Sequence, residues 1–435
     1  MTEALITELS KIKALRIISR TSVMRYKNSD KSLPEIARDL NVDSVVEGSA
    51  QLEGERIRIT AQLIEASTDR HLWADSYDRD LKSILLLQSE LAQAIARKIK
   101  ITVTPEEQTR LSSARPVNTK AHEAYLKGRY FINKFTEEAV KKGIEYFEQA
   151  IKEDPNYARA YAGLAESYDI LNSGGWLSPE EGWPKVKEEA LRTLELDETL
   201  AEAHTLLADV KFLSDWDFEG AEREFKRAIE LNPGNAIARQ YYALYLAAMG
   251  RHDESLAEIK QAKELDPLSL SINQTVGVLL RFARQYDLSI GQLKETIILD
   301  QNFAWAHWSL GEAYLENSMF EEALSSFQKG SALSGDSVII KVDIARAYAL
   351  SGKKVKAQEL LDDLIRQSKK IYVSPYNLAT IYAALGEKEK AFAWLEKAYE
   401  ERSNNLVYLK VDPKLDILRQ DVRFSSLLKK IGLEK

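Results

Sequence analysis

The sequence predicts an α-helical solenoid of stacked hairpins preceded by a small α/β domain. Three observations predict it. Four registers of residues recur every 34 positions, apolar residues inside each 34-residue unit recur at spacings of three and four, and the first hundred residues instead alternate with the period of a strand on both sides of Glu53–Gly54.

The repeat is legible position by position. A small residue steps through Ala243, Gly277, Gly311, Ala345 and Ala379, and the residue three further on through Leu246, Leu280, Tyr314, Tyr348 and Tyr382. A second small position steps through Ser255, Ser289, Ala323, Ala357 and Ala391, with Ile259, Leu293, Phe327, Leu361 and Leu395 four residues later. Small residues let two helix backbones approach closely, and a large side chain from the facing helix fills the gap that remains. ELDP at 264–267 and ELNP at 230–233 end second helices at a proline that cannot continue them. One such hairpin cannot bury its apolar face alone, so neighbours must stack.

This pattern of small, aromatic, small, bulky and then proline in a 34-residue helix–turn–helix resembles the tetratricopeptide repeat. The units that match best are 236–269, 270–303, 304–337 and 338–371, with a fifth at 372–405 and looser ones at 202–235, 158–199 and 121–157. About eight units are therefore expected over 121–405. The resemblance implies a right-handed superhelix with a concave groove lined mostly by first helices. The stretch 406–435 is expected to be a closing helix with its Lys and Arg side facing solvent.

Upstream, TEALITELSKI reads as an amphipathic helix, ALRIIS as a short strand, and SLPEIARDLN as a second helix with Ser32 as cap and Pro34 in the first turn. The segment around Glu53–Gly54 reads as a hairpin, HLWADSYDRD as a further strand, and residues 83–101 as a long helix. VVEGSAQLEGERIRITAQLIEASTDRHLWADSYDRDL resembles the TolB-N-terminal-like (FlgO-like) module. That resemblance implies a domain at 1–105, a linker at 106–120, and a setting in bacterial regulators between a repeat array and a winged-helix, adenylate cyclase or Ser/Thr kinase effector. Such modules begin with an apolar strand, whereas this chain starts inside the first helix. The first strand is expected to be missing, which leaves a sheet edge open to self-association.

Composition excludes several functions. The net charge of −7 argues against a duplex nucleic-acid surface, which needs clustered Lys and Arg. With no cysteine, disulfides, thiolate metal sites and cysteine nucleophiles are excluded. No run of about 18 apolar residues predicts a membrane span. A cytoplasmic location is expected, or a periplasmic one if the chain is fused to a membrane-spanning effector.

Chemistry is sparse. No GxxxxGK or GxGxxG loop is present, and HEAYL at 122–126 lacks the second histidine of a zinc-protease helix. His71, His122, His204, His252 and His307 are not at ligand spacing, and His204 and His307 are expected to pack between repeats. Asp215, Asp217 and Glu219 read as a polar turn around an inward Trp216. Glu321–Glu322 sit at a helix start, where they favour the dipole. Asp75, Asp78 and Asp80 beside Arg79 read as a solvated strand end. No catalytic residue, metal or cofactor is expected.

Binding is the positive expectation. Groove-facing positions include Gln240, Leu244, Gln274, Arg281, Trp305, Trp308, Glu312, Arg346 and Tyr376, and aromatics and arginine dominate interface energies. A carboxylate clamp of Lys and Asn is not found at the matching positions, which hold Thr205, Asp209, Gln240, Leu244, Gln274 and Val278. The insertion NSGGWLSPEEGWP is expected to be a loop that offers Trp176 and Trp183 to a ligand. The function expected is a non-catalytic interaction scaffold, the sensory or assembly part of a bacterial signalling protein, holding a peptide or protein in the groove. A self-assembling array, or a regulatory subunit with a small-molecule site in the N-terminal domain, is the alternative.

Overall fold

The computed structural model describes residues 2–27, 29–54, 56–80, 83–99, 101, 103–112, 118–134 and 136–434. The chain is a tetratricopeptide-type helical solenoid preceded by a small α/β region.

The N-terminal region runs α1 (Thr2–Ser10), α2 (Arg20–Met24), α3 (Leu33–Leu40), β1 (Ser44–Glu53), β2 (Arg56–Glu65), β3 (Arg70–Asp80), α4 (Ile84–Lys98) and α5 (Pro105–Ser112). Glu35 accepts from the Ser32 backbone N–H at 2.8 Å, which fixes the start of α3 as a capping box. The three strands form one antiparallel sheet in the order β1-β2-β3, with a bulge at Leu63/Ile64. Ile57, Ile59, Ala61 and Leu63 alternate inward from β2 and bury against Leu9 of α1 and Leu87 and Leu91 of α4. The expected strand at ALRIIS is absent: residues 14–19 have no strand partner, and the Ser19 N–H instead donates to the Leu265 carbonyl of the array. Residues 106–112 of the expected linker lie in the short helix α5, and residues 113–117 of it lie outside the described residues.

The array is made of antiparallel pairs. These are α6 (Thr119–Ile132) with α7 (Glu137–Glu153), α8 (Ala158–Ser173) with α9 (Pro179–Leu196), α10 (Ala201–Asp209) with α11 (Phe218–Leu231), and α12 (Ala236–Ala248) with α13 (His252–Leu265). They continue with α14 (Leu270–Phe282) and α15 (Tyr286–Leu299), α16 (Ala304–Glu316) and α17 (Phe320–Ser334), α18 (Val338–Leu350) and α19 (Lys354–Gln367), and α20 (Pro375–Leu385) and α21 (Lys388–Glu400). The small-against-large contact is present in the coordinates. A Cβ added to Gly311 would sit 2.5 Å from the Phe327 ring, and one on Gly277 would sit 2.5 Å from Leu293. Ser255 and Ser289 use their hydroxyls to tie the two helices together, donating to the carbonyls of Ala243 and Gly277 at 2.7 Å.

A fifth register was not anticipated from the sequence. The residue that turns each first helix into its second is left-handed at Trp216, Gly250, Arg284, Ser318, Gly352 and Gly386, with φ between 58° and 83°. These positions are again 34 apart. The turn geometry requires positive φ, which glycine adopts freely and other residues adopt at a cost. In the third pair a six-residue π-helical turn, Val210–Asp215, absorbs the extra residue.

Of the last thirty residues only α22 (Val422–Lys430) forms a closing helix with exposed lysines, Lys429 and Lys430. It is preceded by two 3₁₀ turns, Asn404–Tyr408 and Pro413–Leu418. Leu406, Val407, Leu409, Leu415 and Leu418 are fully buried. Leu406, Leu409, Leu415 and Leu418 fall on one three-residue period, the period of 3₁₀ turns, and bury by turning back onto the array. The N-terminal stretch runs along the opposite rim. The Gly234 N–H donates to the Ser10 carbonyl, Ser22 Oγ donates to Asp266 at 2.6 Å, and Arg25 donates to the Leu299 carbonyl. Both ends of the chain therefore clasp the array.

Candidate functional site

The inner wall of the array is built by one face of each first helix. From α12 to α20 this wall holds Gln240, Leu244, Gln274, Arg281, Trp305, Trp308, Glu312, Asp343, Arg346 and Tyr376. Of the residues expected to face the groove, Arg281, Glu312 and Tyr376 meet residues 404–418, while Gln240 and Gln274 are hydrogen-bonded to the next first helix at Ser271, Thr275 and Ser309. Gln240, Arg281, Glu312, Arg346 and Tyr376 are each no more than 4% exposed, while Trp305 and Trp308 are half-buried. The expectation of an open groove is thus corrected: residues 404–418 lie on the wall.

The contacts between wall and segment change character along its length. At its start Trp183 Nε1 donates to Asn404 Oδ1 at 2.8 Å. Val407 then enters an apolar cluster with Phe212, Tyr245 and Leu246, and the Tyr408 ring stacks on Phe282 at 5.3 Å. The guanidinium of Arg284 donates to the Val411 carbonyl at 2.7 Å and pairs with Asp416 at 2.8 Å. The remaining contacts mix buried leucines, Leu415 and Leu418, with polar and ionic pairs. Asp412 accepts from the Tyr376 hydroxyl at 2.8 Å and lies 3.5 Å from Arg281. Two residues on, Lys414 Nζ reaches Glu312 at 2.7 Å and Asp343 at 3.2 Å. Arg346 pairs with Asp343 and Glu316 at 2.8 and 2.9 Å, and Trp308 Nε1 donates to Asp343 at 2.8 Å.

The network sets its own protonation. Burial pushes the Asp343 carboxyl up, but Lys414 and Arg346 outweigh it and hold the group at about 2. Asp412 is likewise held below its ordinary value by Lys414 and Arg281 against the effect of burial. At Glu312 burial prevails and the carboxyl is raised. Burial lowers Lys414 less than Asp343 and Glu312 raise it, so its ammonium stays charged.

A second buried carboxylate cluster adjoins the segment's apolar end. Asp169 and Asp209 lie on neighbouring first helices, where the charge of Asp169 disfavours charge on Asp209, and Tyr241 donates to Asp169 at 3.1 Å. Burial pushes Asp169 up to about 6 and Asp209 well above the usual range, so the pair holds a proton.

The expected ligand loop is different from the prediction. Residues from Pro179 onward continue as α9, with Pro184 inside the helix. Trp183 is buried, and Trp176 packs against Gly174 and the cluster around Leu171. Neither tryptophan is a free loop residue. His204 is held between Glu224 at 2.7 Å and the Glu198 carbonyl, and His307 by the Gln301 carbonyl, in keeping with packed roles. Trp216 turns inward onto Tyr399, and Asp217 caps α11. No metal-ligating group of three or more His, Asp or Glu occurs among the described residues, and no helix among them is long and apolar enough to cross a membrane.

A separate cleft of about 1450 Å³ opens where the N-terminal region meets α6 and α8. Glu3 and Glu166 flank Arg129, and Glu8 lies 3.3 Å from Arg159. Its other side is β1. Gly48, Ala50 and Leu52 lie opposite the buried Ala61, Ile59 and Ile57, yet are themselves exposed, because the helical layer covers β2 and stops short of the edge strand.

Comparison with known proteins agrees with this geometry. Family profiles described as tetratricopeptide repeat match residues 216–269 and 376–405. Over 182 residues the chain is 32% identical to the Rhizobium meliloti (strain 1021) protein named "Putative adenylate cyclase 3", covering 41% of this chain and 31% of that one. Over 135 residues it is 28% identical to the transcriptional regulator HilA of Salmonella paratyphi A, covering 31% of this chain and 24% of that one. The chain therefore spans about a third or less of these relatives. Among solved structures, a monomeric IFIT1 mutant with m7Gppp-AAAA superimposes with a TM-score of 0.50 at 15% identity over 74% of this chain and 87% of that one, a likeness of fold.

Proposed function

We propose that the chain is a non-catalytic interaction scaffold, the sensing or assembly part of a bacterial signalling or regulatory protein, and that it engages a protein or peptide partner on the inner wall of its helical array. One observation carries the reading. The wall already holds an irregular peptide, residues 404–418, through paired charges, aromatic stacking and the buried leucines Leu406, Leu409, Leu415 and Leu418. A surface that holds a peptide in this way is suited to holding others. The regulator setting is supported by the partial likeness to a cyclase-named protein and to HilA, and by the resemblance of residues 1–105 to the TolB-N-terminal-like module. A cytoplasmic location and the absence of catalysis belong to the same proposal.

Site-specific photo-cross-linking in bacterial cells tests it. A photoreactive residue in place of Trp305 on the inner wall should yield a discrete cross-linked partner, and one in place of Ile298, exposed on the outer helix α15, should not. Cross-links from the outer position alone would overturn the reading.

The exposed inward-side residues of β1 favour a second reading, association of two copies through this edge. Sedimentation velocity should then show a dimer that Leu52→Lys abolishes, and a concentration-independent monomer would dismiss it.

A further inference from the structure

We propose that residues 404–419 are an exchangeable occupant of a peptide-docking groove on the inner wall of α12–α20. The partner this groove takes is a segment of the same chemistry: an aliphatic and aromatic run followed within three residues by an aspartate and, two residues further on, by a lysine. The inference rests on the reading that the inner wall is the partner surface, and it names what that surface selects.

Charge complementarity sets the pattern. Arg281 of α14 and the Tyr376 hydroxyl of α20 meet Asp412, while Glu312 of α16 and Asp343 of α18, between them, meet Lys414. A segment reversed in direction, or with its two charges exchanged, would set like charges against one another in a buried site.

The ionic patch of the wall is poorly designed as permanent core, although Leu406, Leu409, Leu415 and Leu418 beside it are fully buried among apolar residues of α18, α20 and α22. Holding Arg281, Glu312, Asp343 and Arg346 beneath a covering segment forfeits solvation that well-packed apolar residues would not lose, so such networks stabilise little and serve selection instead. The resident segment leaves the wall incompletely paired. Arg281 Nε, Arg346 Nε and Gln240 Oε1 are buried without a hydrogen-bond partner, and an incoming segment that supplies those partners displaces one that does not.

The anchoring points are consistent with release. Arg284, which grips the Val411 carbonyl and Asp416, does so from a left-handed backbone with φ 61° that glycine occupies in three sister turns. The segment is joined to α21 through an exposed turn at Glu401 and Arg402, where Arg402 is again left-handed.

The test uses the whole chain with a protease recognition sequence inserted between Glu401 and Arg402. After cleavage, a fluorescent peptide of residues 402–420 is added and its anisotropy followed, while hydrogen exchange is measured on the uncut chain. The labelled peptide should replace the resident segment, and a peptide carrying Asp412→Lys and Lys414→Glu should compete at least about tenfold more weakly. In the uncut chain, residues 404–419 should exchange faster than α12–α21. Failure of the nicked chain to take up peptide, unfolding on nicking, or equal competition by the charge-exchanged peptide would each overturn the proposal. Peptide exchange without a cross-linked partner at Trp305 would instead count against the proposed function alone, and a cross-linked partner without peptide exchange against this inference alone.

Discussion

At the scale of single residues, two kinds of position decide the molecule. The first is the hole that a ring fills. Gly311 has no room for even one added carbon, because the Phe327 ring occupies that space at 2.5 Å. Gly311→Leu should therefore cost about 3 kcal/mol or more through overpacking, read as a fall in the urea midpoint, and an unchanged midpoint would mean that the helix pair is wrongly registered. The second kind is the buried charge. Asp169 and Asp209 hold a proton because burial raises both. A carboxyl whose folded value is raised binds its proton more tightly in the native state, so stability falls as pH rises from about 4 through about 6. Asp209→Asn removes that proton requirement and should stabilise the chain by about 1–3 kcal/mol at pH 8 while changing little at pH 4. Equal effects at both values would show that the pair is not linked.

At the scale of elements, the turns between first and second helices carry an unexpected signal. Ser318 is left-handed at φ 61° with no compensating contact to the C-terminal segment, whereas Arg284, at the same φ, holds Val411 and Asp416. Ser318→Gly should raise stability by about 0.5–1 kcal/mol, and Arg284→Gly should give no gain, since relief of strain is offset by two lost contacts. Identical gains in thermal melts would remove any holding role from Arg284. The hairpins themselves were legible because a close helix crossing demands Gly, Ala or Ser at a fixed interval. The hairpin turn at Glu53–Gly54 and the cap at Ser32 were legible because each is local chemistry. Residues 404–418 were not. Their leucines at 406, 409, 415 and 418 follow a three-residue period too short to stand out from helical spacing, and the long-range pairs that seat them, such as Glu312 with Lys414, leave no mark on sequence spacing. The density of apolar residues at 406, 407, 409, 411, 415 and 418 was the one available sign that this stretch does not face water. The insertion at 172–184 misled for a related reason. Glycine and proline suggested a loop, but Ser178 and Pro179 are a helix cap and first turn, and burial of Trp183 carries the helix past Pro184.

At the scale of the whole molecule, the repeat array is held from both rims by the ends of its own chain. The N-terminal stretch follows the turns that join one hairpin to the next, at Gly234, Asp266 and Leu299. The C-terminal stretch follows the opposite turns, at Trp216, Gly250 and Arg284. Repeat proteins are ordinarily stabilised only between neighbours. Here Lys414 joins the sixth and seventh hairpins to a segment that also meets the third and fourth, which links distant repeats. Arg281, Glu312 and Tyr376 meet the chain's own C-terminal segment, and whether a helix face looks onto solvent or onto the chain itself is a property of the complete fold.

A double-mutant cycle on Glu312→Gln and Lys414→Met, followed by urea unfolding, tests the seating of the C-terminal segment most directly, because these residues lie about a hundred positions apart and meet only if that segment covers the wall. The account predicts that each single change is strongly destabilising, by about 3–5 kcal/mol for Lys414→Met, and that the two are non-additive by about 2 kcal/mol or more. Additivity within about 0.5 kcal/mol would contradict it.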